Sequence, residues 1–199
     1  MKKIVFATKN AGKMKEIQEI LADTGCEIIS MKEAGISLDV EENGVTFEEN
    51  ARIKAREVAK YTNAIVLADD SGLEVDYLGK EPGIYSARYL GEDTSYEIKN
   101  KAILDRLNGV DKTDRTARFV CAIVAVLPTK EELTTLETME GYIGLAPEGE
   151  NGFGYDPIFC ADGYECSTAL LSMEVKNELS HRGKALRAMK TLLLQKGIL

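Results

Sequence analysis

Apolar positions along this chain follow two rhythms. Lys3 to Ala7, Ala64 to Ala68 and Phe119 to Leu127 are short, continuous apolar runs with the length and β-branched content of buried strands. Elsewhere apolar residues recur at helical spacing: Met14, Ile17, Ile20 and Leu21; Phe47, Ala51, Ala55 and Val58; Ala185, Met189, Leu192 and Leu193. Capping chemistry stands in front of each set. A polar turn, Thr8 to Gly12, precedes the first, Thr46-Phe47-Glu48-Glu49 forms a capping box for a helix to about Tyr61, and Ser180 caps the last. Ile28 and Ile29 suggest a further strand, and Thr94 with Glu97 predicts a helix ending at Asn108-Gly109. After a turn at Asp69-Asp70-Ser71-Gly72, the alternation of Leu73, Val75 and Tyr77 predicts a half-buried strand. Leu136 to Ile143 reads as a weaker strand and Gly144 to Gly163 as loop with structure of its own. Helices alternating with apolar strands predict an α/β fold on a mixed sheet. No fixed-period repeat or low-complexity linker interrupts residues 1–199, so one domain is expected.

Composition narrows the chemistry. The 199 residues carry 25 Lys and Arg against 33 Asp and Glu, a net charge of −8, which argues against coating a nucleic-acid polymer. The charge is unevenly spread: residues 1–15 and 179–199 together hold ten cations and no acid. No apolar run approaches the roughly 18–20 residues of a membrane span, and Ile4 to Ala7 is too short for a signal-peptide core. Cys26, Cys121, Cys160 and Cys166 lack CxxC spacing and read as free thiols of a cytoplasmic protein. His181 is the single histidine, so His-relay hydrolysis and His-rich zinc sites are excluded, leaving carboxylates or a metal to do acid–base work.

Five segments carry candidate chemistry. Thr8-Lys9-Asn10-Ala11-Gly12-Lys13, between strand and helix, offers N–H groups and a lysine to an anion, or a plain Asn cap with solvated lysines. It lacks P-loop spacing. Asp69-Asp70-Ser71-Gly72, after an apolar strand, places acids where α/β proteins bind ligands; as a bare sequence it is equally good turn chemistry. Glu41-Glu42-Asn43-Gly44 precedes a helix carrying Asn50 and Lys54 on one face, a metal-and-phosphate arrangement or a solvated acidic loop. Gly152-Phe153-Gly154-Tyr155-Asp156-Pro157 combines close backbone approach with aromatics that can stack on a base, or anchors a structural loop. Ser180-His181-Arg182-Gly183-Lys184 crowds cations into a first helical turn, against the helix dipole, which suits a site facing acceptors.

Together with Pro82 to Arg88, these segments in this order resemble the inosine/xanthosine triphosphate pyrophosphatase (HAM1-like) family over essentially the whole chain. The resemblance implies an elongated mixed α/β fold whose two lobes flank a nucleotide-binding cleft, usually in a homodimer. It implies Mg²⁺-dependent hydrolysis of ITP, dITP and XTP to the monophosphate and pyrophosphate. Carried over onto this sequence, Thr8, Lys9, Asn10, Ala11, Gly12, Lys13 and Lys54 hold the triphosphate, and Glu42 and Asp70 the metal. Asp70 also acts as general base, with Asp69 in support. Ser71 contacts substrate, Phe153, Gly154, Tyr155 and Asp156 embrace the base, and Lys176, His181 and Arg182 complete its recognition. Two other readings compete. A phosphatase with Asp70 as nucleophile would lack its usual Asp-x-Asp spacing, and a sensing module would bind nucleotide without turnover.

Overall fold

A computed structural model describes residues 2–199. Among them, six strands and five α-helices follow in the order β1 (Lys3–Phe6), α1 (Ala11–Ile20), β2 (Glu27–Ser30), α2 (Phe47–Val58), β3 (Ile65–Val75), α3 (Tyr96–Arg106), β4 (Thr116–Val126), β5 (Glu132–Ile143), β6 (Phe159–Ala161), α4 (Met173–Leu179) and α5 (His181–Gln195). The strands form one sheet in the order β2-β1-β3-β4-β5-β6. Strand β1 pairs in parallel with β2 and with β3, whereas β5 and β6 are antiparallel, so the sheet is mixed as expected.

The chain divides into two compact units, and β3, β4 and β5 each pass from one to the other along their length. The first unit holds residues 1–70, 121–137 and 182–199. Its core gathers Ile4 and Phe6 of β1, Met14 and Ile17 of α1, Leu67 of β3, Ile123 of β4, and Leu186 and Met189 of α5. The second unit holds residues 71–120 and 138–181. Its core is built from Leu73 and Val75, Ile103 and Leu107 at α3, Phe119, Ile143, Tyr155 and Phe159. In that second unit the buried Arg115 guanidinium donates to the carbonyls of Leu107, Ile143 and Gly144, tying the end of α3 to the end of β5.

Local chemistry accounts for most boundaries. Asn10 Oδ1 accepts from Lys13 N to start α1, and Thr46 Oγ1 accepts from Glu49 N to start α2. The capping-box glutamate reaches one residue further back than usual: Glu49 Oε2 accepts from Val45 N at 2.8 Å. Three expectations are corrected. The cap of α3 is Ser95, because Thr94 spends its hydroxyl on Leu90 O. Residues 144–163 include a strand, β6, whose three residues pair with Gly141 to Ile143. Ser180 stands immediately before α5, where the cap was expected, and also closes α4, a short helix the pattern did not reveal. Most consequentially, Asp69 to Gly72 is no turn: β3 runs unbroken from Ile65 through both acids to Val75, and Tyr77 lies beyond it in a 3₁₀ turn.

Gly141 makes the β5–β6 pairing possible. A Cβ there would stand 2.1 Å from Cys160 O and 2.7 Å from the Phe159 ring. Backbone cannot yield as a flexible side chain would, so Gly141→Ala should destabilise the protein by about 2–3 kcal/mol or more. The check is a thermal melt against the parent; an unchanged midpoint would mean that β6 does not pack this closely.

Candidate functional site

In the first unit, strand alternation does the sorting. Successive β3 side chains point to opposite faces, so Asp69 shares a face with Ile65 and Leu67, and Asp70 with Val66 and Ala68. The two adjacent carboxylates therefore have different neighbours. Asp69, 1% exposed, meets α1 and α5: Lys13 Nζ lies 2.9 Å and Arg182 Nε 3.3 Å from its Oδ2. Arg182 is itself buried, and its other branch pairs with the buried Glu16 of α1. Burial alone would raise the Asp69 pKa, but Lys13, Arg182 and Lys54 outweigh it and hold the carboxyl well below the usual carboxylate range.

Asp70 faces α2 instead. Asn50 Nδ2 donates to its Oδ2 at 3.1 Å, and Lys54 Nζ lies 3.8 Å from its Oδ1. Burial pushes the Asp70 pKa up to about 6, with Glu42 adding to the rise and Lys54 and Asn50 opposing it. Asn50 and Lys54, at i and i+4, share a helix face as the spacing requires. The fully buried Asn50 also accepts from Gly44 N at 2.9 Å, which anchors the acidic loop 41–44 beside the strand. Lys54 Nζ donates to Glu42 Oε1 at 3.0 Å. One ammonium thus bridges Glu42 and Asp70. Burial disfavours its charge, yet the acids Asp70, Asp69 and Glu42 hold the Lys54 pKa above its ordinary value.

A cation already stands between Glu42 and Asp70, so this pair fits a cation's demands. Among the described residues no group of three or more His, Cys, Asp and Glu side chains gathers. Two carboxylates suit a hard ion such as Mg²⁺, which keeps waters and takes phosphate oxygens as further ligands.

Of the residues at 8–13, Lys13 is drawn inward to Asp69, while Lys9 pairs with Asp39 on the exposed surface. Thr8 Oγ1 accepts from Asn10 N at 3.1 Å, so both short polar side chains shape the strand-to-helix turn. Ala11 and Gly12 belong to the first turn of α1, where N–H groups have no intrahelical acceptor.

The second unit collects Phe153 to Asp156, Lys176 and His181, with Ser71 in β3. Asp156 organises the loop: its Oδ2 accepts from Phe153 N at 2.8 Å and from Lys176 Nζ at 2.6 Å, and its Oδ1 from Thr168 Oγ1 at 3.1 Å. Gly152 is required twice over, by its φ of +78° and because a Cβ would lie 2.3 Å from Asp156 Oδ2. Phe153 is left 41% exposed with the Lys176 ammonium 4.9 Å from its ring centre, a polar-edged aromatic platform. His181 stacks on Phe119 at 4.9 Å. Arg182 belongs to the first unit with Asp69, the division falling between it and His181.

Sequence reading left Glu16, Thr168 and the buried role of Asn50 unassigned. Glu16 had a signal, since i+3 from Lys13 puts both on one face of α1. Thr168 had none.

Asp70 contributes to stability with a definite sign. A carboxyl whose folded pKa, about 6, exceeds its ordinary value of 3.8 costs stability as pH rises through that window, and the whole cost is present above it. Asp70→Asn should therefore be more stable than the parent by roughly 1–3 kcal/mol at pH 7.5, with the gain gone near pH 4. Thermal melts in chelator across that range check this; a gain independent of pH would remove the strained carboxylate as its cause.

Residues 4–192 match the model of the Ham1 family. The dITP/XTP pyrophosphatase of Bacillus licheniformis is 47% identical over 195 residues, covering 98% of this chain and all of that protein. That of Bacillus subtilis is 47% identical over 193 residues, covering 97% and 98%. Among solved structures, the Staphylococcus aureus Ham1 protein superposes with a TM-score of 0.88 at 44% identity, covering 98% of this chain and 100% of that one. A HAM1 protein from Coxiella burnetii gives the same TM-score at 40% identity, with the same coverage. With nearly its full length matched in sequence and in fold, the chain belongs to the Ham1 family.

Proposed function

We propose that this protein hydrolyses non-canonical purine nucleoside triphosphates, ITP, dITP and XTP, to the monophosphate and pyrophosphate, with Mg²⁺ as cofactor. The coarse activity, hydrolysis of a triphosphate anhydride, follows from family membership and from relatives bearing that activity in their names. One arrangement carries the finer reading: two adjacent buried carboxylates with unlike surroundings, Asp69 locked against Lys13 and Arg182, and Asp70 facing Asn50 and the Lys54 ammonium it shares with Glu42, its pKa raised to about 6.

In this reading Thr8 to Lys13 and Lys54 take the triphosphate, whose charge the first-turn N–H groups of α1 and the lysine ammonium groups neutralise. Glu42 and Asp70 hold the metal, which when bound supplies charge neutralisation on phosphate oxygens and a more acidic water. Asp70 accepts the proton of the water that attacks phosphorus, and the anhydride bond to pyrophosphate breaks. Asp69 acts through Lys13, keeping its ammonium in place. Lys54, which bridges Glu42 and Asp70, would turn to phosphate where those two acids held a metal instead.

Phe153, Gly154, Tyr155 and Asp156, with Lys176, His181 and Ser71, recognise the rest of the nucleotide. The six-position oxygen of hypoxanthine and xanthine rewards a donor, and the adenine amino group does not. Arg182, fixed by Glu16 and Asp69, is a held donor of the kind such discrimination needs. No helix among the described residues is long and apolar enough to cross a membrane. A homodimer in the cytoplasm, with no nucleic-acid polymer as partner, completes the reading on the strength of the family resemblance and the acidic composition.

A panel of purine nucleoside triphosphates with product identification tests it. ITP, dITP and XTP should yield monophosphate and pyrophosphate with Mg²⁺; orthophosphate and a diphosphate, or binding without turnover, would sink the proposal. Lys13→Ala should raise KM about tenfold, as befits one charged hydrogen bond to phosphate, with kcat much less affected. An unchanged KM would remove Lys13 from the phosphate site.

A further inference from the structure

Helix α3 buries two polar residues where packing alone would favour apolar ones. Its inward positions are Lys99, Asn100 and Ile103, the first two only 1% and 6% exposed. Removing an ammonium and an amide from water is costly unless each finds a partner. Both donate to main-chain carbonyls, and to two different loops. Lys99 Nζ reaches Ala87 O at 2.6 Å, in the 82–88 segment, and its neighbour Asn100 uses Nδ2 on Gly154 O at 3.2 Å. The same two loops are joined again where the Tyr155 hydroxyl donates to Ser86 O at 2.7 Å. Tyr96, on the first turn of α3, packs edge-on against Tyr155 at 5.3 Å.

Gly154 is where such a loop needs holding. Its φ of +71° lies in the region that glycine enters freely, so the peptide carbonyl can swing unless something captures it. The adjoining residue is Phe153, the exposed platform. Asn100 Oδ1, though buried, has no hydrogen-bond partner among the described residues. An asparagine whose acceptor is left unmatched gains nothing from burial except what its Nδ2 does for Gly154.

We propose that Asn100 is a positioning residue for nucleobase recognition: through the Gly154 carbonyl it fixes the loop that presents Phe153. It governs affinity and base discrimination rather than bond cleavage. The inference rests on the nucleotide reading above and adds to it a residue outside the recognised motifs.

The chain contains no tryptophan, so Phe153→Trp installs a single fluorescent reporter at the loop. Asn100→Asp in that background keeps the side-chain shape and removes the donor. It should lower the reporter's anisotropy and shift its emission to the red, with far-ultraviolet circular dichroism unchanged. In the otherwise native chain, Asn100→Asp should raise KM for inosine triphosphate roughly tenfold with kcat within about threefold, the effect of one lost buried hydrogen bond. Lys101→Ala, on the exposed side of the same helix, should leave both readouts at the parent's values. Should Asn100→Asp fail to fold, Asn100→Ser, shorter and uncharged, makes the same comparison. An unmoved reporter, or a fall in kcat with KM unchanged, overturns the proposal. If the parent chain turns over no purine triphosphate, it is the nucleotide reading that falls, and the reporter still decides whether Asn100 holds the loop.

Discussion

Everything in the first unit is arranged around a strand that carries two carboxylates through a buried position without breaking. A pair of acids near a core is expensive, and the usual resolution is a turn that returns them to water. Here β3 continues, because each acid is met on its own face. Lys13 and Arg182 meet Asp69; Asn50 and Lys54 meet Asp70. Two of the helices that supply these partners, α1 and α5, also share one apolar cluster with the strand. Electrostatic and hydrophobic requirements are met by one set of elements, so the site cannot shift without the packing shifting with it.

That arrangement also explains how like groups acquire unlike chemistry. Asp69 sits among cations with hardly any solvent, and its charge is secured. Asp70 is buried with a second acid close by, which pushes its pKa up to about 6 against the opposing pull of an ammonium shared with Glu42 and of an amide. The stability cost of keeping Asp70 in this state is the kind a folded protein carries at a working site. Lys54, bridging Glu42 and Asp70, preserves the charge balance of the pair in the meantime.

In the second unit the organising interaction is a single carboxylate, Asp156, which collects a main-chain N–H, a lysine and a threonine hydroxyl around one tight loop. The loop's aromatics then divide their work. Tyr155 is buried and tied by its hydroxyl to Ser86, whereas Phe153 projects outward. Glycines on either side of Phe153 permit the curvature, and Asn100 of α3 donates to the Gly154 carbonyl within it, while Lys99 donates to Ala87 in the 82–88 segment.

Local patterns along the chain determined the strands and helices with continuous or strongly periodic apolar positions, the caps at Asn10 and Thr46, and the motif order that marks the family. These depend on neighbours a few residues apart, where spacing translates directly into geometry. Tertiary structure alone decided that Asp69 to Gly72 extends rather than turns, since a residue's preference for a turn yields when distant partners satisfy its charge. It decided that Asp69 and Asp70 diverge, and that Glu16, Asn50 and Asn100 stand behind the motif residues. It also placed Arg182 on Asp69, which lies 113 positions earlier in the chain. Contacts of that span are set by which faces the folded elements bury, and no local pattern carries that information.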